Sequence, residues 1–156
     1  MSKESEGDSR EREVSEASEP DTRERLTAQE VFDDVARHLL TQKVQSTRLK
    51  DPGLPAELYN IACAYRGTGG LKCAVGCLIR DDEYDEVMDY NAASVMTLMR
   101  LKLLPERLRE HRALLSDLQA AHDALDPDDE STLWPHELAC VAEKFELDAS
   151  VLKEFA

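Results

Sequence analysis

The chain is poor in aromatic residues. They make up 5% of its 156 positions, with a single tryptophan, so a core would have to be built mainly from Leu, Val, Ala and Met. It has no uninterrupted apolar run of about 18 residues, which argues against a membrane span. Its opening residues, MSKESEGDSR, lack the apolar stretch of a secretory signal. It also lacks any C-x-x-C pair; its four cysteines stand at positions 63, 73, 77 and 140. Reduced thiols and a cytoplasmic location are therefore expected. Several catalytic signatures are missing as well. There is no phosphate-binding G-x-x-x-x-G-K-[ST], no strand-to-helix G-x-G-x-x-G and no G-x-S-x-G. His136-Glu137 lacks the second histidine of H-E-x-x-H and the P-C-x-x-C of the deaminases. No catalytic residue is nominated, and a non-enzymatic role leads.

Acid is what the chain has in plenty. Its formal charge is −14, and nine acids and five bases fall within residues 1–25, so the rest of the chain carries −10. A field of that sign repels nucleic acid and anionic membrane and favours a basic protein partner. Solubility alone would account for it too. Residues 1–25 have almost no apolar content and cannot offset their own ordering entropy, so they read as a disordered tail. Residues 26–156 read as one helical domain.

Ordered structure is expected from Leu26. Thr27-Ala28-Gln29-Glu30 is a capping box, and Val31, Val35 and Leu39 recur every fourth residue on one helical face ending near Gln42. Residues 46–55, with Asp51-Pro52-Gly53, read as a loop. Cys63 to Arg66 and Leu71 to Val75 then read as two short strands around Gly67-Thr68-Gly69-Gly70, a β-hairpin over about 62–75. The acidic run 81–89 reads as a loop with a helical turn. Helices are expected over 92–104, over 105–125 with Pro105 as first residue, and over 134–145, followed by a final turn. The fold class is thus mainly α, with one small hairpin.

Three constellations have a chemical reading. Tyr65, Arg66 and Lys72 beside the glycine turn, with His122, form a candidate ligand-binding surface for a phosphate-bearing molecule, or the site of an enzyme of unfamiliar type. A plain hairpin turn explains the same residues. Cys63, Cys73, Cys77 and Cys140 would together make a four-thiolate zinc site, or else pack as small core residues. Asp126, Asp128, Glu130, Thr132 and Glu137 occupy positions 1, 3, 5, 7 and 12 of an EF-hand frame for calcium, although Ser131 replaces the glycine at position six. An acidic helix N-terminus accounts for them equally. Calcium and zinc are thus alternatives to a chain with no cofactor. His111 and His122 lie three turns apart, about 16 Å, too far to share one metal.

The run Cys63-Ala64-Tyr65-Arg66-Gly67, then Gly70-Leu71-Lys72-Cys73-Ala74-Val75-Gly76-Cys77-Leu78-Ile79, with Asp81 and Tyr84, resembles a group of small bacterial and phage proteins of uncharacterised function. Leu118-Gln119 and His122-Asp123 extend the likeness, which covers about residues 27–150. Where the group has Met-Glu-Gly, this chain has Met88-Asp89-Tyr90. The resemblance brings no activity with it; it implies a bacterial or phage cytoplasm as the setting.

Overall fold

The computed structural model describes residues 25–51, 53–55 and 61–156. The expected disordered tail lies outside them, apart from Arg25.

Helix α1, Ala28–Gln42, starts where the capping box places it: Thr27 Oγ1 accepts from the Glu30 amide at 3.1 Å, and Glu30 accepts from the Thr27 amide at 2.9 Å. It buries Val31, Phe32, Val35, Ala36, Leu39 and Leu40. Each of the larger side chains, Ala36 excepted, contributes roughly 1.5–3 kcal/mol relative to exposure. The helix stops at Lys43, whose φ of 69° breaks the helical path while its amide still donates to Leu39.

Strands β1, Thr47–Leu49, and β2, Ile61–Cys63, pair antiparallel with Thr47 opposite Cys63 and Leu49 opposite Ile61. The hairpin is therefore displaced from the expected one. Its first strand comes from the segment read as a loop, and the glycine turn is closed by a single antiparallel bridge between Arg66 and Lys72. Residues 71–75 are not a strand. Cys73, Ala74 and Val75 are fully buried in the apolar cluster that also holds the buried face of α1.

A buried irregular segment needs partners for its polar backbone. Side chains supply several. Gln42, at the end of α1, accepts from the Lys72 amide and donates to the Lys72 carbonyl, to which His38 Nε2 also donates at 2.8 Å. Gln119 accepts from the Val75 amide at 3.1 Å. Arg107 donates to Leu78 O, and Arg66 to Ile79 O, both at 2.7 Å. Gly76 lies so close to Tyr65 that a Cβ there would stand 2.2 Å from the Tyr65 carbonyl oxygen. Only glycine permits that approach.

Helix α2 is shorter than expected, Val95–Arg100. Ser94 caps it by accepting from the Thr97 amide, and Lys102 at φ 60° lies just beyond its end. Pro105 is not helical. With ψ of 139° it precedes a 3-10 turn, Glu106–His111, and only from there does α3, Arg112–Asp123, run. Helix α4, Trp134–Lys144, begins with Trp134 and carries Pro135 in its first turn. The closing 3-10 turn, Ser150–Phe155, is clasped to α1: Gln29 exchanges two hydrogen bonds with Asp148, and Arg37 pairs with Glu154 at 3.2 Å. One apolar cluster runs from Val31 through Leu98, Leu115 and Leu138 to Val151. The mainly helical class with one small hairpin is what the chain adopts. Among the described residues, no helix is long and apolar enough to cross a membrane.

Candidate functional site

Where β2 meets α2 and α3, a pocket of about 420 Å³ opens, lined in part by Cys63, Tyr65, Asp89, Ser94, Ser116, Gln119 and Asp123. Among the described residues, its lining contains two carboxylates and no lysine or arginine. That volume lies within the ordinary range for ligand sites.

One wall is fixed by His122, which is fully buried at the end of α3. Its Nε2 accepts from the Ser46 amide at 3.0 Å, just before β1. The proton therefore sits on Nδ1, which donates to Asp123 Oδ1 at 2.8 Å. Trp134 stacks on the imidazole with ring centroids 5.6 Å apart. Asp123 also accepts from Gln119 Nε2 at 3.0 Å and from the Cys63 thiol. About half of its side chain still faces solvent.

The other wall is fixed by Asp89, whose side chain is only 4% exposed. Oδ1 accepts from the Tyr65 amide at 2.7 Å; Oδ2 accepts from the Arg66 amide at 3.2 Å and the Tyr84 hydroxyl at 2.5 Å. Arg48 reaches Oδ2 from outside at 3.5 Å.

Cys63, His122 and Asp123 bring one ligand atom each within 4.8 Å of one another, the spacing of a metal site. The hydrogen bonds oppose that use. A cation on Nδ1 would force the proton to Nε2, setting an N–H against the Ser46 N–H. The trio does not match a nucleophilic triad either. There the imidazole stands between nucleophile and carboxylate; here the carboxylate stands between thiol and imidazole. Burial, and then the Asp123 charge and hydrogen bond, push the Cys63 thiol up to about 12, away from the thiolate a nucleophile needs.

The residues singled out in the sequence disperse. Tyr65 lines the pocket, but its phenol is buried and donates to Ala93 O at 2.8 Å. Arg66 points the other way: besides its bond to Ile79 it pairs with Asp81 at 3.2 Å and lies over the Tyr84 ring. Lys72 is held through its backbone, and His122 stands behind the pocket wall. The four do not converge on one point. The 126–137 segment folds as a capped turn. Asp129, outside the calcium frame, accepts from Ser131, while Thr132 bonds back to the Asp126 backbone. Among the described residues, its acids bring no three ligand atoms within 4.8 Å, and neither do the four thiols.

Ser46, Asp89, Ser94 and Ser116 had no flag in the sequence. Cys63, Ala64 and Tyr65 meet Gln119 and Asp123 of α3 at this pocket. Compared with protein-family models, curated proteins and solved structures, the chain gives no match.

Proposed function

We propose that the chain is a non-enzymatic interaction protein that binds a basic protein partner, receiving one of its lysine or arginine side chains in the pocket between β2 and α3. The observation that carries this reading is the pocket's lining: Asp123 keeps about half of its side chain exposed, no lysine or arginine lines the pocket among the described residues, and Asp89, already held by two amides, Tyr84 and Arg48, adds negative charge to the far wall. Carboxylates in a recess are less screened than on an open surface, and the −10 formal charge of residues 26–156 steers basic molecules toward the body. Ser94 and Ser116 add hydroxyls that can accept from an ammonium or guanidinium. A phosphate-bearing ligand fits this lining poorly, and Arg66, its best sequence candidate, is already engaged.

The test is calorimetric titration with a lysine- and arginine-rich peptide at low and at physiological salt. Binding should weaken with salt, and Asp123→Asn should lose about tenfold, the order of one charge-assisted contact of about 1.4 kcal/mol. An absence of binding, or equal binding by the variant, would end the proposal.

A further inference from the structure

A second pair of donors lies away from the pocket, on the outer side of α4. His136 and Cys140 are four residues apart on that helix, so they sit one turn above the other. Both are exposed, and Cys140 Sγ lies 3.8 Å from His136 Nε2. Zinc holds sulfur at about 2.3 Å and imidazole nitrogen at about 2.0–2.1 Å. At a tetrahedral angle those bond lengths set the two donor atoms about 3.6 Å apart. The pair is therefore already spaced as two corners of a zinc tetrahedron, without a change of backbone.

From this geometry we infer that His136 and Cys140 form a two-ligand site for zinc on the face of α4. The contrast with Cys63 and His122 supports it. There the Ser46 amide holds the imidazole in the wrong tautomer. At His136, the Cys140 sulfur is the contact of Nε2 among the described residues, so the lone pair can turn to a cation as the thiol loses its proton. Thiolate and imidazole are also the donors zinc prefers over the carboxylates that abound on this chain. Both side chains are exposed, so the remaining two coordination positions face solvent and are filled by water or by donors from another molecule.

The test is titration of the fully reduced protein with cobalt(II) as a spectroscopic stand-in, then with zinc, following metal per chain by native mass spectrometry. One metal per chain is expected, with a thiolate-to-cobalt charge-transfer band and proton release on binding. Cys140→Ser should abolish the band, and His136→Ala should weaken binding at least tenfold. Cys63→Ser should leave both unchanged. Since His136 and Cys140 are exposed, these variants should keep the parent's far-ultraviolet circular dichroism and melting temperature. No metal uptake, uptake that survives both α4 substitutions, or uptake lost with Cys63→Ser would each overturn the assignment.

Discussion

The backbone amide of Ser46 donates to Nε2 of His122 across 76 positions of sequence, at 3.0 Å and with both residues fully buried. This bond joins the start of β1 to the end of α3, and Gln45 reinforces it by donating to the His122 carbonyl at 2.9 Å. His122→Phe would keep a ring against Trp134 but leave the Ser46 N–H buried without its acceptor. That penalty is about 1–3 kcal/mol. His122→Ala adds a cavity and should cost more. Urea denaturation of both variants gives the comparison; a phenylalanine variant as stable as the parent would show that the bond adds nothing net.

Much of the helical frame was legible. Thr27 and Glu30 announce α1, and the four-residue recurrence of Val31, Val35 and Leu39 gives its buried face. Leu138, Val141 and Ala142 do the same for α4. The β pairing was not legible, because a three-residue strand is too short to display alternation and Thr47–Leu49 is flanked by loop-like sequence. The hidden caps misled in a different way. Ser94 sets the start of α2 inside a run that reads as continuous helix, and Pro105 takes an extended ψ. The pocket was beyond local pattern altogether. Its carboxylates, Asp89 and Asp123, come from a 3-10 turn and a helix end, and only long-range packing brings them to Cys63 and Tyr65.

The cysteines should differ sharply in reactivity. Burial pushes the Cys63 and Cys77 thiols up to about 12, and Cys73, fully buried, higher still. Cys140 is exposed. In the native protein near neutral pH, one thiol should react quickly with a disulfide reagent, and peptide mapping should locate it at Cys140. The other three should react only as the fold opens, at a rate that rises with urea. Fast labelling of Cys63 in native buffer would contradict the hydrogen-bonded, protonated thiol described for the pocket.

His38 makes stability depend on pH in a definite direction. Burial holds its pKa below the ordinary 6.5; the bond to the Lys72 carbonyl works the other way, and the Lys72 charge lowers it further. Well above its ordinary pKa, from about pH 8, the imidazole is neutral in both folded and unfolded chains and contributes no slope. As pH falls below that value, the unfolded chain takes up the proton first, so stability declines. His38→Gln keeps a donor for the Lys72 carbonyl and removes the titration. Between about pH 7 and pH 5 the parent should lose more stability than this variant. Parallel losses in chemical denaturation at the two pH values would remove His38 as the cause.

Asp89 offers the sharpest test of how the pocket is held. Its two oxygens together accept from two backbone amides and the Tyr84 hydroxyl, so every neighbour is a donor. Asp89→Asn alters almost no volume but replaces one acceptor oxygen with an N–H₂ group that must face a donor. The amide oxygen would keep the bond from one side, and either the Tyr65 N–H or the Arg66 N–H and Arg48 would lose their acceptor, while the Tyr84 hydroxyl can turn and accept from the new N–H₂. The expected cost is about 2–3 kcal/mol, the scale of a buried group left unpaired beside a charged acceptor. Tyr84→Phe should cost less in the Asp89→Asn background than in the parent, because the hydroxyl's bond to a charged carboxylate is already gone there. The double-mutant cycle would then show a coupling of about 1 kcal/mol between the two positions. Strict additivity would place the cost on the backbone amides and Arg48, and an Asp89→Asn variant with unchanged stability would mean that the carboxylate does not hold this wall.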